Sequence, residues 1–382
     1  MRIGLVCPYS LTVPGGVQSQ VLGLARTLRE LGHEARVLSP CDGPPPELFV
    51  IPLGNSIPTA ANGSVAPLAP DPACALRTIR ALADESFDVI NVHEPVAPGP
   101  TMTAILMHPA PIIGTFHAAG DSTSYRVLNR TVNWLASRID LRVAVSDDAR
   151  LLAESYLGGE YDVLFNAVEI ERYQSAPKVD RVGPTIMFCG RHEPRKGLDV
   201  LLAALADLPG DVRCWVASDG PDTPELRARF AGDDRIEWLG RLTDEDKIAR
   251  LGSADVFCAP SLRGESFGVV LIEAMAAGTA IVASDLPGYR RVARPDVDAL
   301  LTPPGDTLSL AAALKRVLAD DELAGRLRAN GLERAEVFSM RTLAGAYLER
   351  FTRLVAEAPA ERRRHDANAH LPGWLRRIMP LS

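Results

Sequence analysis

The sequence predicts an α/β protein built from two doubly wound domains. Three observations carry that expectation. At 382 residues the chain exceeds what one ordinary hydrophobic core organises. Short β-type runs alternate with helical patterns in two separate series. Between the series, residues 172–184 lapse into polar residues with Pro177, Gly183 and Pro184, the composition of a linker.

The first series opens with the apolar run 3–7, followed by a loop bearing Pro and Gly. Val17, Val21, Leu24, Leu28 and Leu31 then share one helical face, and Gly32 ends that helix. Further strands are expected at 35–38, 89–92, 112–115 and 141–145. The second series places strands at 185–189, 212–217, 236–239, 256–259 and 280–284. The expected organisation is therefore a domain over 1–171, a linker over 172–184 and a domain over 185–339. A helix over 340–360 would pack back towards the first domain, and 361–382 would form a tail. Open sheets of this Rossmann-like kind bind ligands beyond the carboxyl ends of their strands.

Composition fits a globular protein, with 47% hydrophobic and 23% charged residues. The net charge of −7 is unevenly placed. Residues 1–171 hold 11 Arg and no Lys against 18 acidic residues, so the whole excess lies there. Nucleic-acid binding is disfavoured, since phosphate-backbone recognition needs clustered cations. The six cysteines form no Cys-x-x-Cys pair; Cys7, Cys189 and Cys258 lie in or beside apolar runs and read as buried structural thiols. That usage suits a reduced, cytoplasmic protein. No run is long and apolar enough to span a bilayer, so any membrane contact is expected to be peripheral. The tail, with Arg362-Arg363-Arg364 and Trp374-Leu375-Arg376-Arg377, is a floppy end or a short basic-aromatic membrane contact.

Four segments can carry chemistry. In the turn Pro14-Gly15-Gly16-Val17, glycines let backbone amides approach an anion at a helix start. It lacks dinucleotide or Walker spacing, which counts against a dehydrogenase or an NTPase. The stretch from Gly190 to Gly197 follows a strand and carries Arg191 and Lys196, a fork and a point charge suited to a diphosphate. Glu265-Ser266-Phe267-Gly268 precedes a helical run from Val269 that holds Glu273. Amides of its first turn suit phosphate, Glu265 suits sugar hydroxyls and Glu273 a ribose diol. His117 follows a strand, where a histidine is either structural or a partner for a hydroxyl. A solvated loop, a helix cap and a buried histidine are the plain readings of these features taken singly.

Taken together, these motifs resemble the retaining glycosyltransferases of the GT-B fold, glycosyltransferase family 4. Glu265 to Glu273, followed by Ala-Met-Ala-Ala-Gly278, resembles the family's Glu-x7-Glu segment, and Gly190-Arg191 with Arg195-Lys196-Gly197 its phosphate-binding segment. Asn166-Ala167-Val168 is similar to its Asn-Gly-Val signature, with Ala167 in place of Gly. Within the family, the opening Met1 to Ser10 with Val13 to Ser19, Asn62 to Ala66, His93-Glu94-Pro95, Thr115-Phe116-His117 and Cys258 to Glu265 resemble members that mannosylate an inositol lipid. The likeness spans about 1–356.

The resemblance implies two Rossmann-like domains facing a central cleft, with GDP-mannose as donor and phosphatidyl-myo-inositol as acceptor. Gly16, Arg191, Lys196 and the amides of Ser266, Phe267, Gly268 and Val269 would hold the diphosphate, and Glu273 the ribose. Leu242, Thr243, Asp244 and Lys247 would lie near the base. Glu265 and His117 would hold the transferred sugar, while Tyr9, Gln18, Asn62 and His117 face the acceptor. His117, Arg191, Lys196 and Glu265 are thus the catalytic candidates. Stabilising a departing diphosphate is an electrostatic task that these cations and amides can perform, so no cofactor or bound metal is expected. Asp296-Val297-Asp298 resembles a metal pair but reads as a turn.

The chain departs from those members where they carry a strongly basic amphipathic helix. Here residues 67–80 hold only Arg77 and Arg80, and each cation forgone removes about 1 kcal/mol of attraction to an anionic surface. After His117 stand Ala118-Ala119-Gly120-Asp121 where they carry hydroxyl residues and Lys. A different sugar or acceptor with the same retaining chemistry is the alternative. A silent sugar-nucleotide binding protein is a third, opposed by the intact Arg191, Lys196, Glu265 and Glu273.

Overall fold

The computed structural model describes residues 1–61, 64–118 and 129–358. Asn62, residues 119–121 and the basic tail 361–382 lie outside them. The chain divides into two compact units: Met1–Asn166 with Leu343–Ser382, and Ala167–Thr342.

In the first unit a parallel sheet runs in the order β3-β2-β1-β6-β7-β8-β9. Its strands are β1 (Arg2–Val6), β2 (Glu34–Ser39), β3 (Val50–Pro52), β6 (Val89–His93), β7 (Ile112–Phe116), β8 (Leu141–Ala144) and β9 (Asp162–Val163). The intervening β4 (Ile57–Ala61) and β5 (Ser64–Leu68) form a separate antiparallel hairpin. Helices α1 (Gly16–Glu30), α2 (Pro72–Glu85), α3 (Pro100–Met107), α4 (Asn129–Ala136) and α5 (Asp147–Leu157) connect the strands. One core joins Val6, Leu38, Ile90, Val92, Ile112 and Phe116 of the sheet to Cys74 and Leu82 of α2 and Ile105 of α3.

The second unit starts with α6 (Ile170–Gln174), which covers the beginning of the expected linker. No helix or strand lies between Ser175 and Pro184, where the Val179 amide donates to Ser253 Oγ at 2.7 Å. Strands β10 (Thr185–Cys189), β11 (Arg213–Ala217), β12 (Ile236–Gly240), β13 (Val256–Ala259), β14 (Ala280–Ser284) and β15 (Leu300–Thr302) pair in parallel, in the order β12-β11-β10-β13-β14-β15. Helices α7 (Leu198–Ala204), α8 (Thr223–Arg229), α9 (Asp244–Ser253), α10 (Val269–Ala276), α11 (Pro287–Val292), α12 (Thr307–Ala319) and α13 (Asp321–Glu336) flank it. Successive strand residues point to opposite faces, and both faces are covered. Met187, Trp215 and Phe257 join Leu271 and Met275 on one side. Ile186, Phe188, Val216 and Cys258 join Leu201 and Leu314 on the other.

The last helix, α14 (Met340–Glu357), is held in the first unit by Tyr347, whose hydroxyl lies 3.0 Å from Thr115 Oγ1. All six cysteines are free, and burial pushes the Cys7 and Cys214 thiols up to about 12. Among the described residues no helix is long and apolar enough to cross a membrane.

Candidate active site

Each sheet reverses its strand order at its first strand: between β1 and β6 in the first unit, and between β10 and β13 in the second. Loops leaving such a switch point diverge and open a crevice at the strands' carboxyl ends. In the second unit those loops hold Arg191 and Lys196 after β10 and Ser261 to Glu265 after β13. In the first they hold the Gly15-Gly16 turn after β1 and Glu94 after β6, with His117 following β7 alongside.

The two loops of the second unit are fastened together. Gly197 approaches Pro260 so closely that a Cβ would fall on the Pro260 carbonyl oxygen, and the Leu262 amide donates to Arg195 O at 2.8 Å. Glu265 Oε1 accepts from Lys196 Nζ at 2.5 Å and from Ser261 Oγ at 3.1 Å, with Arg195 Nη1 at 3.4 Å. Ser261 is fixed in turn by the Tyr289 hydroxyl at 2.9 Å. Arg191 is half exposed and lies 3.7 Å from Glu193. Helix α10 begins after Gly268, which offers its first turn no side-chain cap. Uncapped first-turn amides on an apolar, largely buried helix are suited to an anion. Ser266 is held through its carbonyl by Arg291 Nη1 at 2.8 Å. The Phe267 side chain is core, edge-on to Phe338 with ring centroids 5.6 Å apart, so only its backbone can serve a ligand.

Glu273, one turn into α10, accepts from Lys247 Nζ at 2.8 Å. Burial works against the Lys247 charge, but Glu273 outweighs it and holds the ammonium above its ordinary value. Thr243 caps α9 by accepting from the Asp246 amide at 3.1 Å, and Asp244 Oδ1 stands 4.0 Å from Lys247. Leu242 packs against the core. Of these residues Asp244 stands beside the Lys247–Glu273 pair, and Leu242 and Thr243 precede it in the loop that starts α9. Asp298 is fully buried and its two oxygens accept from the Arg294 amide and Nε, each at 2.6 Å, which leaves it to brace a turn.

In the first unit Gly16 opens α1, and a Cβ there would meet nothing. Gln18 is buried, and its Nε2 donates to Val13 O at 3.1 Å and Ser10 O at 3.4 Å. It braces the glycine turn rather than standing free. Tyr9 is a β-bridge partner of Leu68, and burial raises its phenol. His117 keeps part of its surface open, and its ring lies against His93, with Nε2 3.0 Å from His93 Nδ1. Burial drives His117 down to about 3 and His93 well below its ordinary value, so both rings are neutral near pH 7. Glu94 accepts from the His117 amide at 2.8 Å, and burial lifts its carboxyl to about 7.

His93, Glu94 and Tyr347 are not among the site residues expected from the sequence. The signal available was the position of the first two at a strand's carboxyl end beside the switch point. Tyr347 carried none, being about 230 residues distant in the chain from the Thr115 it touches. A small recess lined in part by Gln20, His93, His117, Asn166 and Tyr347 lies beside the histidine pair.

Two family models match the chain: Glycosyltransferase Family 4 over residues 14–172 and Glycosyl transferases group 1 over 183–320. The sequence is 44% identical over 347 residues to a phosphatidyl-myo-inositol mannosyltransferase of Mycobacterium leprae, covering 87% of this chain and 91% of that one. Two solved structures share its fold at 20% identity and a TM-score of 0.70. Sucrose-phosphate synthase from Thermosynechococcus elongatus is covered fully by 94% of this chain, and Anabaena HepE in complex with UDP and glucose by 93%. Two parallel-sheet units with polar loops at their switch points, matched by these models, define a glycosyltransferase of the GT-B class. Within glycosyltransferase family 4, the chain belongs to the phosphatidyl-myo-inositol mannosyltransferases.

Proposed function

We propose that the protein transfers α-mannose from GDP-mannose to phosphatidyl-myo-inositol with retention of anomeric configuration. The observation that carries this reading is the contact of Lys196 with Glu265 at the second unit's switch point. A nucleotide sugar joins its diphosphate to the anomeric carbon, so phosphate charge and sugar hydroxyls lie side by side. A cation and a carboxylate at 2.5 Å, beside an uncapped helix start, offer both at that spacing. Arg191, Lys196 and the amides of Ser266 to Val269 would stabilise the departing diphosphate, where the reaction develops its charge. Glu273 would accept from the ribose, and Leu242 to Asp244 with Lys247 would border the base. Glu265 and His117 would orient the mannose, with Tyr9, Gln18 and Gly16 beside the acceptor and phosphate; Asn62 belongs to the same reading. No cofactor enters this scheme, since the charge is handled by side chains and backbone. The name of the Mycobacterium leprae relative supports the acceptor.

Peripheral contact with the inner face of the cell membrane belongs to the proposal, because a lipid acceptor must be reached there. One observation favours a second reading, the same chemistry on another acceptor. Both cations of α2 are engaged within the unit: Arg77 donates to Leu53 O at 3.0 Å, and Arg80 pairs with Asp84 at 3.4 Å. Neither is left to a lipid surface without exchange of partners.

The test is a transfer assay with GDP-mannose and phosphatidylinositol vesicles, with UDP-glucose as the competing donor. Mannosylated lipid is the expected product. GDP-mannose binding without lipid product would remove the acceptor, and a preference for UDP-glucose would remove the donor.

A further inference from the structure

Strand geometry sends successive side chains to opposite faces of a sheet, so His93 and Glu94 should diverge at the end of β6. They do not. Glu94 has φ of +49°, a left-handed conformation that a non-glycine residue adopts at a cost. Its amide still continues the ladder to Thr115 O at 2.8 Å, but its side chain turns back to accept from the His117 amide at 2.8 Å. The preceding His93 meets the ring of the same residue, Nδ1 to Nε2 at 3.0 Å. Two consecutive residues thus grip His117 at its backbone and at its ring.

The histidine pair can be written in two ways. With both rings neutral, one proton lies between His93 Nδ1 and His117 Nε2. If His117 donated it, His93 would carry its own proton on Nε2. That atom is buried and has no hydrogen-bond partner among the described residues. An orphaned buried N–H is costlier and rarer than an orphaned acceptor lone pair. The favoured arrangement has His93 Nδ1–H donating to His117 Nε2. His117 then carries its proton on Nδ1 and offers a fixed donor there.

We propose that His93 and Glu94 are positioning residues that hold His117 in the Nδ1–H tautomer and in one orientation for the transfer step. The strained backbone at Glu94 is the device that brings both side chains to one residue. The ring nitrogen engaged by His93 decides which nitrogen of His117 can serve as a donor, as a second partner does for histidines generally. This inference rests on the reading of His117 as a residue that contacts the sugar or its acceptor. The tautomer itself does not.

The experiment is ¹⁵N NMR of the full chain labelled at histidine, together with transfer kinetics of three variants. The expected wild-type spectrum shows an unprotonated Nε2 and a protonated Nδ1 on His117. His93→Leu removes the donor, and His117 should shift towards the Nε2–H form. Its kcat should fall about tenfold, the weight of one lost hydrogen bond, while KM for the nucleotide sugar changes less than twofold. His93→Asn, whose amide can donate from near the Nδ1 position, should restore the tautomer and most of the rate. Glu94→Ala should broaden or double the His117 ring signals, and Glu94→Gln, which keeps an acceptor, should not. A protonated Nε2 on wild-type His117 overturns the proposal. So does a His93→Leu chain with unchanged tautomer or unchanged kcat. His117→Ala separates the two readings: full transfer by that variant would sink the role of His117 at the sugar while the tautomer result stood.

Discussion

Lys196 and Glu265 meet at 2.5 Å although they come from loops after different strands, β10 and β13, which pair side by side at the switch point. Their side chains are 18% and 10% exposed, so the pair is poorly screened and a ligand must share or displace it.

Lys196→Ala should lower kcat/KM for the nucleotide sugar by about 100- to 1,000-fold, the usual loss when one charge-stabilising donor is removed. Glu265 retains Ser261 and Arg195, so the stability cost should stay near 1 kcal/mol. Steady-state transfer and urea unfolding measure the two effects. A variant crippled in both would mean that the lysine serves the fold.

Glu273→Gln should weaken nucleotide binding about tenfold by calorimetry, one good hydrogen bond to a ribose diol. It also leaves the Lys247 ammonium beside a neutral amide, at a cost of about 1–3 kcal/mol in urea unfolding. Unchanged affinity with lowered stability would reduce Glu273 to a structural partner of Lys247.

Gly288→Ala should damage the site without touching any polar group. A Cβ at Gly288 would fall on the Glu265 carbonyl oxygen. The segment carrying Glu265 and Ser266 must then shift, costing about 1–3 kcal/mol and displacing the amides at the start of α10. Loss of donor affinity out of proportion to the drop in melting temperature is the expected result.

Burial lifts the Glu94 carboxyl from 4.5 to about 7, despite the amides of His117 and Ala118 that favour its charged form. The fold therefore holds a proton that the unfolded chain releases between about pH 4.5 and 7. Its contribution is full below 4.5 and is lost as pH rises through 7. His93 and His117, both pushed down, act with the opposite sign below 6.5 and are common to wild type and variant. Glu94→Gln, which cannot ionise, should gain on wild type from pH 5 to 8 by up to about 3 kcal/mol. Urea unfolding at the two pH values gives the difference; a constant offset would mean that Glu94 is ionised throughout.

Most of the second unit was legible in the sequence because its signals are local. Strands 185–189, 256–259 and 280–284 are apolar runs, and Glu265 to Glu273 is a contiguous motif at a helix start. Less could be read where strands are short or contain proline. β3, β9 and β15 have three residues or fewer, too few for a period to show. The β4–β5 hairpin carries Pro58 and Pro67, which argue against strand.

The sequence by itself determined the class of fold, the family, and which residues have the chemistry for a sugar diphosphate. These follow from periodicity and from residue types at fixed spacing, properties of neighbours in the chain. Only the tertiary structure decided the partners: Lys196 with Glu265, Lys247 with Glu273, Tyr347 with Thr115, and His93 and Glu94 on His117. Each pairing joins residues more than 20 positions apart, through the ends of neighbouring parallel strands, two adjacent helices, or a helix returned from the far end of the chain. Which groups meet there is fixed by sheet order and burial.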